Sequence, residues 1–405
     1  MKIKRFFPMV LCALMLVFAV SAASVFGKSQ KGDKAEPEQK TETIAKAREQ
    51  QEEMRGLWVT YMELDMENEA DKSEAAFRKK FENIAAAAER LKFNTIIAQV
   101  RPFCDALYES KYFPHSHILS GKQGVSPGYD ALKIMCEICK KHKLKIHAWI
   151  NPYRVALNES PPKLAENNPY YNDEPLCIEA DNWIILDPSC EDARELIING
   201  IIEITENYDV DGIQFDDYFY PADIGNLDDE QYQNYLENTK SKSQLSLEEW
   251  RKNNVNMLIA EAYMTIHAKN KNIEFGISPQ GNLKNNEKLA ADVVSWCGAR
   301  GYVDYICPQI YFSPNNPKLG FEESLDEWTS LKFAEGVKLY VGLAGYKANT
   351  ESDEGTWLEA DDILSKEYRL AKADKKVSGV MLYSYASLVD KDKIKEINNL
   401  VESFS

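Results

Sequence analysis

Val210-Asp-Gly-Ile-Gln-Phe-Asp-Asp-Tyr-Phe-Tyr-Pro221 reads as a short buried strand that runs into two carboxylates and a group of aromatics. Side chains alternate across a strand, so Ile213 and Phe215 face one way while Gln214 and Asp216 face the other. The apolar pair suits a face packed beneath helices. A strand that delivers an aspartate at its carboxyl end is how parallel barrels present a catalytic acid. Taken alone, the plainer reading is an Asp that caps the next turn. The surrounding sequence decides between the two.

Seven further runs share this character, at 56–61, 95–101, 145–153, 274–279, 305–311, 338–345 and 379–385. Helical patterns separate them, at 73–91, 129–142, 191–207, 247–269, 288–300, 321–333, 359–372 and 391–401. Strict alternation predicts parallel strands joined by crossover helices. Eight such units predict an α/β fold, a (β/α)8 TIM-type barrel. A doubly wound open sheet is the alternative, but no glycine-rich dinucleotide turn follows the first strand. The long connections at 102–128, 154–190 and 221–246 follow strands 2, 3 and 4. They would crowd the end of the barrel where active sites of this fold lie.

The same alternation gathers polar residues at the strand ends. Gln99 and Arg101 share a face of the second strand with Ile97, and His147, Trp149 and Asn151 share one in the third. Gln214 and Asp216 follow in the fourth, Ser278 and Gln280 in the fifth, Gln309 and Tyr311 in the sixth, Tyr383 and Tyr385 in the eighth. If their apolar neighbours pack against helices, these groups converge in the barrel mouth. Buried polar groups cost several kcal/mol unless paired, so such a cluster serves a ligand or a network of its own. Amides and aromatics around one or two acids suit hydroxyl-rich, flat-faced sugar rings. A phosphate ligand would want a glycine nest or several lysines. No cofactor fingerprint is present, and none is expected.

The ends and the composition narrow the setting. Lys2, Lys4 and Arg5 precede the apolar run 6–26, which closes on small residues. This predicts a secretory signal at 1–27, with an uncleaved anchor as the alternative. Residues 28–53 hold few large apolar side chains and read as a disordered tether, so the folded domain is expected over 54–405. No later segment is apolar for long enough to span a membrane. The formal net charge of −16 becomes three more negative once the leader is lost. So acidic a chain argues against nucleic acid, which needs a basic footprint. Of eight cysteines, Cys12 goes with the leader, and the odd remainder is no disulfide framework. Cys136-Glu-Ile-Cys139, one turn before His142, lies in a helical pattern without a second ligand pair, so helix packing is expected there rather than a metal.

Several motifs occur together and in order. They are Arg55-Gly-Leu-Trp-Val59, Gln99-Val-Arg-Pro102, Asp105-Ala-Leu-Tyr-Glu-Ser110, Pro127-Gly-Tyr-Asp130 and His147-Ala-Trp-Ile-Asn-Pro-Tyr-Arg154. Asp211-Gly-Ile-Gln-Phe-Asp-Asp-Tyr218, Trp250-Arg251, Phe275-Gly-Ile-Ser-Pro279 and Asp304-Tyr-Ile-Cys-Pro-Gln-Ile-Tyr311 complete the set. From Arg55 onward the chain resembles the family 10 glycosyl-hydrolase-like proteins. The resemblance implies a TIM-type barrel of the bacterial cell envelope that hydrolyses glycosidic bonds. In at least one branch the implied substrate is peptidoglycan glycan stripped of stem peptides. The chain departs from the family at Phe103-Cys104, where a glycine-containing pair is usual, and at His115-Ser116, where Trp-Ser is typical. It also lacks a lipobox.

Glycosidases normally use two carboxyl groups. Asp216 is the first candidate, as nucleophile or as stabiliser of an oxocarbenium-like transition state. For the second, Asp217 is adjacent but points away unless the backbone turns there. Asp105, Glu109 and Glu63 could reach across the mouth. Assistance by a substrate N-acetyl group would remove the need for a second nucleophile, but the usual acid of that scheme would fall at Tyr218. Arg101 and Arg154 are expected to hold an anionic substrate group, such as a muramic lactyl carboxylate, or to pair with the aspartates. Asn151, Tyr153, Gln214, Tyr218, Gln280, Gln309, Tyr311 and Tyr383 are expected to contact the saccharide. Trp250 is expected to pack a helix. The leading expectation is an extracytoplasmic hydrolase of cell-wall polysaccharide. A non-catalytic glycan-binding barrel is the alternative, and a metal-dependent hydrolase is disfavoured because His147 is the lone strand histidine.

Overall fold

In the strand β2, Thr95–Arg101, every residue is buried, as expected of a parallel strand covered on both faces. The computed structural model describes residues 53–172 and 175–404. The expected leader at 1–27, and the tether at 28–53 apart from its last residue, lie outside the described residues. The strands are β1 (Met54–Val59), β2, β3 (Lys145–Ile150), β4 (Arg154–Leu157), β5 (Cys177–Ala180) and β6 (Trp183–Leu186). They continue with β7 (Gly212–Phe215), β8 (Glu274–Ile277), β9 (Tyr305–Ile306), β10 (Lys338–Leu343) and β11 (Val377–Leu382). Eight of them close into a barrel in the order β1-β11-β10-β9-β8-β7-β3-β2, all neighbours parallel. The (β/α)8 barrel is therefore the observed fold.

The crossover helices form where the sequence places both an apolar stripe and a cap. Helix α1, Glu74–Arg90, starts at Ser73, whose hydroxyl accepts from Ala76 N, and buries Phe77, Phe81, Ile84 and Ala88 at helical spacing. Helix α2, Ala131–Lys141, is capped by Asp130, and α3, Glu191–Asn207, carries Glu191 and Asp192 in its first turn. Helix α4, Leu247–Lys269, begins in a capping box between Ser246 and Glu249. Within α2, Cys136 and Cys139 are buried, and His142 is engaged by Glu82 and Glu89. Trp250 packs in α4 against Tyr232 and Tyr235.

Two separate sets of side chains result from the pleat. Leu57, Ile96, Ala98, Ile146, Ala148, Ile213, Phe215 and Phe275 face out and join the core under the helices. Trp58, Ile97, Trp149, Tyr305, Cys307, Tyr340 and Met381 face in and fill the barrel. Two inward side chains need room that glycines provide. An ideal Cβ on Gly212 would stand 2.5 Å from the His147 ring, and one on Gly276 would stand 2.1 Å from the Tyr305 ring. The freed space holds a polar chain, in which His147 Nδ1 donates to the Tyr305 hydroxyl at 3.0 Å and that hydroxyl donates to Gln214 Oε1 at 3.1 Å. This direction fixes the histidine tautomer. Burial holds His147 neutral, with its pKa pushed down to about 4.

The long connection after β3 folds into a small antiparallel sheet of order β4-β6-β5. Like the extended loops after β2 and β7, it leaves from the carboxyl end of its strand. The site described next lies at the ends of the barrel strands, and of these segments the one after β7 lines it directly.

Candidate active site

Strand β7 ends at Phe215, and the chain turns at once. The turn brings Asp216 and Asp217, consecutive residues that would diverge on a continuing strand, to the same cavity. Asp216 Oδ2 accepts from Trp149 Nε1 at 3.2 Å and from the Asn151 amide, while Oδ1 accepts from Tyr218 N at 3.3 Å. Asn151 is itself oriented. Its Oδ1 accepts from Gln99 Nε2 at 2.6 Å, and Gln99 Oε1 accepts from Tyr61 N at 3.0 Å. With its oxygen engaged, Asn151 has only its NH2 to offer to Asp216. Asp217 is held on the other side, by Gln309 Nε2 at 2.8 Å on Oδ1 and by the Gln280 amide on Oδ2.

Both carboxyls are almost wholly buried, at 3 % and 4 % exposure. Burial pushes the Asp216 pKa up to about 7, and the neighbouring Asp217 charge adds to the rise. Asp217 is also raised by burial, against the pull of Gln280 and Gln309. The two titrate as a pair, with the proton favoured on Asp216. Arg154 lowers both, but forms no ion pair with either. Its guanidinium lies 4.8 Å over the Phe103 ring and 5.2 Å over Tyr218, with Nε donating to Pro102 O at 2.8 Å and one Nη buried without a partner.

The cavity has a volume of about 330 Å³, at the small end of ligand pockets and suited to one sugar ring with its substituents rather than two. Trp58 and Trp149 form its base. Tyr311, Tyr346 and Tyr383 pack against one another, with ring centroids 5.7–5.8 Å apart, and supply a wall. Half-exposed Tyr218 stands at the rim. Among the described residues the hydroxyls of these four tyrosines make no hydrogen bond, so the cavity offers unspent donors and acceptors. Two larger hollows, of about 680 and 970 Å³, lie on the outside between helices. They are shallow and hold no comparable pair of perturbed acids, so the smaller cavity is the better candidate.

The structure brings together Asp216, Asp217, Tyr218, Gln214, Gln309, Tyr311 and Tyr383 in the cavity, with Asn151 and Gln280 bonded to the acids and Arg154 beside them. It does not bring Arg101, Asp105 or Tyr153 there. The β2–β3 register shifts between Gln99 and Arg101. Arg101 therefore turns outward, 4.6 Å from the Phe113 ring and against Gly200 of α3. Asp105 is buried within the loop after β2, accepting from Gln123 Nε2 at 3.1 Å and Phe103 N at 3.3 Å. Tyr153 follows the end of β3 and is buried outside the barrel near Arg194 and Asp187. Glu63, also expected to reach the mouth, is spent on Ser384 Oγ and the amides of Thr60 and Ala386. Glu109 lines the outer hollow of about 680 Å³. Trp58 and Tyr346 also line the cavity, although the sequence pattern does not single them out. The alternation of Gly56 and Trp58 on one face of β1 was the available signal for the first, and Tyr346 lies beyond its strand in a turn.

Comparison with known proteins adds the lineage. The Glycosyl hydrolase-like 10 family matches residues 53–359. This chain belongs to that family. It is 31 % identical over 357 residues to Glycosyl hydrolase YngK of Bacillus subtilis, covering 83 % of this chain and 69 % of that protein. It is 33 % identical over 324 residues to Glycosyl hydrolase DigH of Escherichia coli K12, covering 73 % and 72 %. Among solved structures, the glycoside hydrolase domain of PgaB (BpsB) from Bordetella bronchiseptica superposes with a TM-score of 0.58 at 9 % identity, covering 85 % of this chain and 98 % of that one. At that identity the likeness speaks for the fold alone. Among the described residues no helix is long and apolar enough to cross a membrane.

Proposed function

We propose that this family member is an extracytoplasmic glycoside hydrolase acting on cell-wall polysaccharide, namely the peptide-free glycan strands of peptidoglycan. One observation carries the reading: two buried aspartates with separately built surroundings share a ring-sized cavity walled by tyrosines whose hydroxyls have no partner among the described residues. Asp216, raised by burial, holds a proton near neutral pH and is placed to give it to a leaving glycosidic oxygen. Asp217, gripped by two amides, is the better carboxylate. The aromatic walls suit the flat faces of sugar rings. Arg154, with its unpartnered buried Nη, is proposed to receive an anionic substituent such as the lactyl carboxylate of muramic acid. The leader read at 1–27 supports an extracytoplasmic setting, with the barrel over 54–405 as the working domain.

The test is an Asp216→Asn variant set against the wild type on purified peptide-free glycan strands. Binding that survives while product formation stops supports the hydrolase. Binding by a folded wild type with no cleavage of any glycan favours the non-catalytic glycan-binding barrel.

A further inference from the structure

Asp216 and Asp217 are the two carboxyls that line the cavity among the described residues. They leave a single turn and splay to its two flanks, Asp216 towards Trp149 and Asn151 and Asp217 towards Gln280 and Gln309. A double displacement needs a nucleophile on the face of the sugar opposite the acid, about 5–5.5 Å from it, and inversion needs a base about 6.5–9.5 Å away with room for water. The barrel order sets β11 directly across from β7. What that opposite side presents is Tyr383 after β11, flanked by Trp58 of β1 and Tyr346 after β10, with no carboxylate among them. The two other acids near the mouth are committed, Glu63 to the β1–β11 seam and Asp105 to its own loop. Both acids thus come from one strand end, and the wall opposite that strand offers aromatic rings and hydroxyls but no carboxyl to act as a nucleophile.

From this geometry we infer that the missing nucleophile is the substrate's own 2-acetamido group, which makes an N-acetylated sugar on the non-reducing side of the scissile bond a chemical requirement. The inference rests on the hydrolase reading above and refines it. In the first step the acetamido carbonyl oxygen bonds to C1. The C1–O bond to the leaving sugar breaks, and its electron pair takes the proton held by Asp216. Asp217, fixed by Gln280 and Gln309, accepts the acetamido N–H and stabilises or removes that proton as the oxazoline ring forms. In the second step water attacks C1 and gives a proton to the now ionised Asp216. The C1–O bond of the ring breaks, the nitrogen recovers its proton, and the acetamido group is restored with retained anomeric configuration. The unpartnered hydroxyls of Tyr311, Tyr346 and Tyr383 are available to hold the acetamido carbonyl in place. The sequence pattern alone placed the acid of such a scheme at Tyr218. In the structure the carboxyls that reach the cavity just past the end of β7 are Asp216 and Asp217.

The experiment compares purified wild-type protein on peptide-free glycan strands and on the same strands after chemical N-deacetylation. It also measures inhibition by an N-acetylglucosamine thiazoline. Cleavage of the acetylated strand that falls by at least about a thousandfold on deacetylation, with competitive inhibition by the thiazoline, is expected, because intramolecular attack carries a large effective molarity. Comparable cleavage of both strands, or a covalent glycosyl-aspartate trapped with a 2-deoxy-2-fluoro sugar, would overturn the inference and leave the hydrolase reading standing. No cleavage of either strand by folded protein would remove both.

Discussion

The Asp216 carboxyl can be interrogated without any substrate. Its pKa stands near 7 instead of 3.8 because burial and Asp217 oppose its charge. An acid raised in this way contributes most to stability below its unfolded value, about 3.9, and that contribution is lost as pH rises towards 7. The full loss is about 4 kcal/mol at 1.36 kcal/mol for each tenfold change in acidity. Asp216→Asn removes the ionisation but keeps the shape. Its carbonyl can take the place of Oδ2 and accept from Trp149 and Asn151, which leaves NH2 facing Tyr218 N. That unpaired donor costs about 1 kcal/mol. The variant should therefore be more stable than wild type at pH 8 by about 3 kcal/mol, and slightly less stable at pH 4. For a compact unit of Glu53–Ser405, an unfolding entropy of about 2 cal/mol/K per residue turns this into a rise of about 4 °C. Thermal unfolding by circular dichroism at pH 4, 6 and 8 reads it directly. A difference between the two proteins that does not change with pH, or a variant less stable at pH 8, would refute the assignment of a buried, raised carboxyl to this position.

Three other outcomes are expected. Gly276→Ala should destabilise by at least about 1–3 kcal/mol in urea unfolding, because its Cβ would lie 2.1 Å from the Tyr305 ring; an unchanged midpoint would mean that the barrel interior is looser than described. Asn151→Ala removes a donor to ionised Asp216 and leaves the Gln99 amide without its acceptor. The alkaline limb of the pH–rate profile should then move upward while stability falls by about 1–3 kcal/mol, and a limb that moves down would contradict the relay. Arg154→Met keeps apolar bulk between Phe103 and Tyr218 but drops the charge. Affinity measured by calorimetry should fall about tenfold for a glycan with a carboxylate substituent and stay level for a neutral one; equal losses on both would assign Arg154 to packing.

Much of this was legible in the sequence, because period-two alternation survives wherever a strand is regular. Ile213 and Phe215 face the helices, and Gln214 faces the interior, as the pattern of β7 required. It fails where regularity ends. One register shift in β2 is enough to turn Arg101 away from the mouth that Gln99 faces, and nothing in Gln99-Val-Arg marks it. Asp217 is a candidate only if the backbone turns after Asp216, and the sequence does not show that β7 ends at Phe215 and meets the condition. The reach of Asp105 depended on a long loop whose path is set by contacts with Gln123 and the backbone of Phe103, neither of which a local pattern reveals. Trp58 and Tyr346 went unnoticed because aromatic residues are ordinary core material, and their role depends on which neighbours the barrel closure sets around them.

The little sheet of β4, β6 and β5 pairs with no barrel strand, yet its first residue, Arg154, is a close cationic neighbour of the aspartate pair. The two acids and the cation beside them thus sit on separable lengths of polypeptide. Insertions or deletions within 155–186 would shift where that guanidinium stands while the hydrogen bonds that close the wheel of strands are kept. A lineage could in this way vary the charge beside the paired acids while the strand that carries them stayed unchanged.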